Sequence, residues 1–269
     1  MEQFLFGALK PRVDVRDYAV AAAGAEYPDS YHVEHMPSIK NQRSVSSCVA
    51  HATSTILEYF NKAETGEYNE LSTDFIYGMQ GIAYGRSLPG MYLRDACKIV
   101  KNYGDPLKTT ISGNTEQPQC TEKLKKALTN EVYAEAAISK IKSYAKCSTE
   151  NAIKHALMNY GPVLANIKWY KSYTFDANKA IRFDTSTTSG YHAIVICGWD
   201  EYGWICQNSW GEHWNRTGKF KYPFSSKIEE AWSFVDAENE DILKPKRNKI
   251  LDTIYSVFNF VANIFKRKK

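Results

Sequence analysis

No two cysteines in this sequence stand at the Cys-x-x-Cys spacing that grips a zinc ion. The six, at positions 48, 97, 120, 147, 197 and 206, are scattered, which excludes a dense disulfide framework as well as a structural metal site. Cys197 and Cys206 flank the Glu201-Tyr202 turn at similar distances and read as buried apolar thiols, facing each other across a hairpin. A secretory leader is also missing, because Met1-Glu2-Gln3 is acidic and Phe4 to Leu9 is too short an apolar run. Ala19 to Ala25 is likewise too short to cross a bilayer. These absences predict a chain that begins in the cytosol.

Basic excess is lacking from most of the chain. The net charge is +4, but residues 244–269 alone carry +7, leaving the first 243 residues at −3. In that tail Ile250, Ile254, Val257, Val261 and Ile264 form a stripe, with Asp252, Ser256, Asn259 and Asn263 opposite. The pattern predicts an amphipathic helix with basic ends. Thr253 to Phe265 is only thirteen uncharged residues, too few to span a membrane. The stripe suits docking on the rest of the chain, on a second copy or on a partner, or lying in an anionic membrane surface. Its clustered apolar residues argue against nucleic acid. With 269 residues and 43% hydrophobic content, the chain buries a sizeable core in one or two lobes.

What is present centres on Asn41 to Ala52. Ser44, Ser46 and Ser47 favour caps over helix interiors, and Val49, Ala52, Ile56, Leu57 and Phe60 recur at helical spacing, so a helix is predicted to begin at Cys48. A thiol there meets the positive end of the helix dipole and unpaired backbone N–H groups, which favour the thiolate, the nucleophilic form. Gln42, six residues upstream, is placed to share a developing oxyanion with the Cys48 N–H.

Such a nucleophile needs a base, and the base needs a group that holds its ring. Gly190 to Trp199 opens with His192 and continues as an apolar β-rich run; after Asp200-Glu201-Tyr202-Gly203 comes Trp204 to Gly211, containing Asn208. Two such runs read as a hairpin that returns Asn208 to His192. His51 shares the helix of Cys48 and is the other conceivable base, though its ring would have to reach back past the helix start. His213 reads as a solvated loop residue near the site, and His32, His35 and His155 have no constellation around them.

These motifs resemble those of the papain-like cysteine peptidases. Gln42 and Cys48 match the family's glutamine, five residues, then cysteine; His192-Ala193 matches its histidine before an apolar strand; Asn208-Ser209-Trp210-Gly211 matches its asparagine signature. The resemblance implies an α+β, two-lobed fold with a cleft between a helical lobe and a β-rich lobe. It implies Cys48 as nucleophile, His192 as base and acid, Asn208 as ring orienter, Gln42 as oxyanion donor and Trp210 as a shield over the His–Asn bond. Gly90 is the match for a glycine whose backbone binds substrate. No metal or organic cofactor is implied, and protein or peptide is the substrate.

There are departures from the pattern. Val45 stands where many relatives carry a disulfide cysteine, and Val49 replaces a tryptophan that packs under the site. The chain is more similar to compact bacterial and phage-encoded members, including its Arg12 to Tyr18 segment. It lacks room for the long inhibitory propeptide of lysosomal relatives, which predicts synthesis in nearly mature form. The triad also suits acyl transfer or cell-wall amide cleavage, and the altered loop before Cys48 suits a silent peptide-binding module.

The expected organisation is an N-terminal arm over 1–40, a catalytic domain over 41–243 and the tail over 244–269. Within the domain the helical lobe covers about 41–115 and the β-rich lobe about 116–243. Helices are predicted from Cys48, over Leu71 to Met79 with Ser72 as cap, over Tyr92 to Tyr103, Leu124 to Leu128 and Asn151 to Asn159. Pro106 to Gln119 reads as an interlobe loop, and Gly161 to Ile167 as a buried strand.

Overall fold

The computed structural model describes residues 5–12, 14, 17–20 and 26–236. The helix expected over 244–269 lies outside the described residues. Helix α1 (Cys48–Thr65) is buried around its whole circumference over the first turns, as its apolar and small side chains allow, and so runs through the middle of the molecule. It stops where Gly66 takes a left-handed φ of 76° and returns its N–H to the Lys62 carbonyl. Helix α2 (Thr73–Tyr84) starts from Ser72, whose Oγ accepts the Phe75 N–H at 3.0 Å, and α3 (Leu93–Asn102) follows. Phe75, Ile76 and Met79 of α2 and Ala96, Ile99 and Val100 of α3 share one core with α1.

The segment expected to link the lobes does something else. The Pro106 carbonyl accepts the Ser72 N–H and the Lys108 N–H reaches the Glu70 carbonyl, so the chain turns back along the helical lobe. It then forms α4 (Gln119–Ala127) and α5 (Asn130–Ala136). Leu124 and Thr121 of α4 press against α2 at Gly78 and Gly81, where any side chain would be in the way. The helical lobe therefore extends to about residue 140 instead of 115. The cause is apolar: Cys120, Leu124, Val132 and Ala136 complete the core of α1 to α3.

The other lobe is built on a sheet. Its strands are β1 (Tyr31–His32), β2 (Ile141–Lys146), β3 (Val163–Tyr170), β6 (Ser189–Asp200), β7 (Gly203–Gln207), β8 (Lys219–Tyr222) and β9 (Ile228–Asp236). The order is β2-β9-β3-β6-β7-β8, with β1 also on β6 and all pairings antiparallel. Helix α6 (Glu150–Asn159) packs on this sheet, and a small hairpin joins β4 (Tyr173–Phe175) to β5 (Ile181–Phe183). His192 to Trp199 is buried on both faces of β6, matching its unbroken apolar run. A register shift between Ile196 and Gly198 takes Cys197 out of line with Cys206; both thiols are buried and free.

One buried ion pair fastens the chain entering the site to this framework. Lys40 Nζ lies 2.6 Å from Glu58 Oε1 on α1, and the same carboxylate accepts the Leu71 N–H at 2.7 Å and the Tyr68 hydroxyl at 3.0 Å.

Candidate active site

Cys48 is the first residue of α1, as the serines before it indicated, but the capping differs from the expectation. Ser47 occupies the cap position without a side-chain bond to the helix; its Oγ lies 3.2 Å from His51 Nδ1. The first N–H groups of α1 are thus left for other partners beside the thiol. His51 is buried and contacts the Ser47 carbonyl at 3.0 Å, and burial pushes its pKa down to about 4. That ring is engaged in bracing its own helix.

His192 enters from β6. Its Nε2 donates to Asn208 Oδ1 at 2.7 Å, and the same oxygen accepts the Ser209 N–H at 2.8 Å. The other nitrogen, Nδ1, is buried with no partner. The N–H of Ala193, next in the chain, donates to Cys48 Sγ at 3.4 Å, which sets the thiol beside the histidine. The Trp210 ring lies 4.6 Å from the imidazole, centroid to centroid, and Trp169 lies 5.2 Å away on edge. Trp169 is a contact that sequence reasoning missed, since no motif marks it; its place on β3 opposite β6 was the available signal. His213 is exposed.

Gln42 is held by the histidine-bearing lobe. Its N–H reaches the Ser209 carbonyl at 2.8 Å, and its side-chain oxygen accepts the Ser209 hydroxyl at 2.7 Å. Nε2 donates to two carbonyls: Val45 of its own loop at 2.8 Å, and Leu5 of the N-terminal arm at 3.0 Å. A carbonyl oxygen of the chain itself therefore occupies the donor expected for an oxyanion.

The arm continues through the cleft. Gly7 accepts at its carbonyl from the Met91 N–H at 2.7 Å, the Ala8 N–H donates to the Tyr191 carbonyl at 3.2 Å, and the Leu9 N–H donates to the Met91 carbonyl at 2.9 Å. Asn166 Nδ2 donates to the Leu9 carbonyl at 3.0 Å. A side chain at Gly7 would overlap the Ser46 carbonyl, so only glycine passes there. Farther along, Arg12 stacks 4.0 Å over the Tyr92 ring, and Asp14 and Asp17 pair with Arg94 at 2.7 and 2.6 Å. A short arm is thus enough to fill the cleft.

Gly90 is also corrected. Its N–H donates to the Tyr77 hydroxyl at 3.1 Å and its carbonyl accepts from Gln80 Nε2 at 3.0 Å, so both groups are drawn into the helical lobe. The backbone that faces the cleft is that of Met91. Gly90 has a φ of 87°, and a side chain there would press on the Gly7 carbonyl.

Under the arm Cys48 and His192 are fully buried. Burial pushes the Cys48 thiol up to about 11, against the lowering effect of the N–H groups of Ala193, Gly7, Val49 and Ala8. Burial likewise pushes His192 down to about 4, against its bond to Asn208. The arrangement therefore holds a neutral thiol beside a neutral imidazole.

A model described as the papain family cysteine protease matches residues 27–233. Among curated proteins, cathepsin S of Bos taurus is 26% identical over 188 residues, covering 67% of this chain and 54% of that protein. A cathepsin B-like cysteine proteinase of Schistosoma japonicum is 34% identical over 83 residues, 29% of this chain and 24% of that protein. The chain spans about half the length of the curated relatives that it matches over most of its own length. Among solved structures, xylellain, a cysteine protease from Xylella fastidiosa, superposes with a TM-score of 0.74 at 21% identity, covering 87% of this chain and 96% of that one. Digestive procathepsin L 3 of Tenebrio molitor larval midgut superposes with a TM-score of 0.62 at 15% identity, covering 81% and 73%.

Proposed function

Because the chain belongs to the papain family of cysteine proteases, we propose that it is an endopeptidase that cuts peptide bonds through Cys48, His192 and Asn208. The observation that carries this reading is the convergence of the thiol on the Ala193 N–H beside an imidazole tied to Asn208 at 2.7 Å. Cys48 transfers its proton to His192 Nδ1, and the imidazolium keeps its Nε2–H on Asn208. The thiolate adds to the substrate carbonyl carbon, and the Cys48 N–H and Gln42 Nε2 stabilise the oxyanion. His192 returns the proton to the leaving amine, and water, deprotonated by the same ring, releases the acyl group. The Met91 backbone, which now pairs with the arm, is the edge that takes an extended peptide.

In the arm-filled state the enzyme is latent, since substrate and arm compete for Gln42 and Met91. The test uses the Gly7→Ala chain, in which the arm cannot seat, with a denatured protein as substrate and thiol reductant present. Hydrolysis that disappears on adding Cys48→Ala is expected. Retained hydrolysis in that double variant, or none in Gly7→Ala, overturns the assignment. We propose beside it, from the sequence alone, a cytoplasmic enzyme that residues 244–269 dock on a partner or an anionic membrane. Flotation with anionic liposomes, with and without those residues, separates the two destinations.

A further inference from the structure

Two cleft-lining segments of the helical lobe are joined by a chain of hydrogen bonds through a residue outside every motif. Glu116 Oε2 accepts the backbone N–H of Ser46, two residues before Cys48, at 2.7 Å. Its Oε1 accepts the Tyr77 hydroxyl at 2.5 Å. The Tyr77 oxygen in turn accepts the Gly90 N–H at 3.1 Å. The path therefore runs from the nucleophile loop, through one carboxylate and one phenol, to the residue before Met91. All six cysteines are free, so no disulfide makes this connection.

The construction resists slack. Tyr77 is fully buried on α2, Gln117 Nε2 donates to the Tyr77 carbonyl and Thr121 Oγ1 donates to Gln117 Oε1, which hold the carboxylate-bearing loop against the same helix. Gln80, one turn after Tyr77, grips the Gly90 carbonyl at 3.0 Å, so the glycine is fixed by both its polar groups. A carboxylate with two donors makes charge-assisted bonds, stronger than neutral ones.

We propose that Glu116 is a positioning residue that, through Tyr77, sets the Met91 edge at the correct distance from the nucleophile loop. The inference deepens the peptidase reading and rests on it for the identity of the edge as a peptide-binding strand. It concerns what docks on Met91, whether arm or substrate, and leaves the reactivity of an uncovered Cys48 to His192.

The first readout needs no turnover. Cys48 alkylation by iodoacetamide, read by peptide mass mapping on the full chain, reports how often the arm leaves Met91. Glu116→Ala and Tyr77→Phe both break the Glu116–Tyr77 bond and should each raise that rate at least about tenfold, the equivalent of that one charge-assisted bond. In the Gly7→Ala chain, where the arm is already out, the same substitutions should leave the rate within about twofold, while the KM for peptides that reach Met91 rises and kcat holds. Thermal melts report on folding, and Tyr77→Phe serves if Glu116→Ala does not fold. An unchanged rate in the arm-seated chain, or an equal rise in both backgrounds, overturns the proposal. Absence of hydrolysis with the expected labelling pattern would sink the peptidase reading and leave the clasp in place.

Discussion

Replacing Gly7 by alanine adds one methyl group where the arm crosses Ser46. The new carbon would overlap a backbone carbonyl, which cannot rotate aside as a side chain would. The arm must lift, giving up the Gly7, Ala8 and Leu9 bonds to Met91 and Tyr191. At about 1 kcal/mol net for each of three bonds, the docked state loses about 3 kcal/mol, and the open fraction rises by about a hundredfold. Opening also wets the thiol, whose pKa of about 11 is raised mainly by burial, while removing the Gly7 and Ala8 N–H groups that lower it; burial is the larger cause, so the thiolate share at pH 7.5 is expected to increase as well. The assay is the second-order rate of Cys48 alkylation by iodoacetamide, compared between the natural chain and Gly7→Ala. Adding His192→Ala should reverse the thiolate part of the gain. A rate unchanged by Gly7→Ala would show that the arm does not guard the cleft.

Other perturbations give separate checks. Lys40→Met strands the buried Glu58 carboxylate without its cation and should cost about 3–5 kcal/mol in urea unfolding at pH 7; a loss below 1 kcal/mol would show that Leu71 and Tyr68 suffice as its partners. His51 is held neutral by burial with a pKa of about 4, below its unfolded value, so the stability it allows is present above about pH 6.5 and is lost as pH falls toward 4. Urea unfolding of His51→Gln against the natural chain should therefore shift in favour of the variant by about 3 kcal/mol from pH 7.5 to 4, and a pH-independent difference would refute the assignment of a buried neutral ring. Asn208→Ala leaves the imidazole Nε2–H with no acceptor and should lower peptide hydrolysis by the Gly7→Ala chain at least about tenfold, an effect that vanishes if the Trp210 ring alone holds the base.

The sequence made legible those parts of the molecule whose physics is local. The start of α1, the Ser72 cap and the apolar run of β6 all follow from neighbouring residues, and the structure places them where caps and periodicity indicate. The ends of the hairpin that returns Asn208 to His192 were equally readable. Long-range pairings were not. Nothing near Leu5 or Gly7 signals that their carbonyls meet Gln42 and Met91, because that meeting depends on a fold closing over distant segments. Gly90 was the natural choice for a substrate contact, since glycine leaves its backbone bare, yet Tyr77 and Gln80 capture it and leave Met91 in its place. The lobe boundary slipped for a related reason: a polar stretch full of turn residues looks like a linker whether it crosses a cleft or runs along one lobe. Glu116 lies in that stretch, and no spacing rule marks a carboxylate that bonds one segment seventy residues earlier.

The covered site also shows why access and reactivity change together. Burial raises Cys48 and lowers His192, and both changes hold the proton on sulfur, although the Gly7 and Ala8 N–H groups of the arm act the other way on the thiol. The Asn208 bond favours the charged ring but is too weak to overcome burial while the arm is seated. Arm release is expected to admit water, to lower the thiol by more than the loss of the Gly7 and Ala8 N–H groups raises it, to raise the imidazole, and so to let the proton cross to Nδ1. The Gln42 Nε2–H and the Met91 backbone become free in the same motion, because the arm holds both. On the proposed mechanism, a brief partial opening that exposes only the Met91 edge is expected to leave Cys48 a poor nucleophile until the segment over the thiol, Gly7 and Ala8, has also lifted.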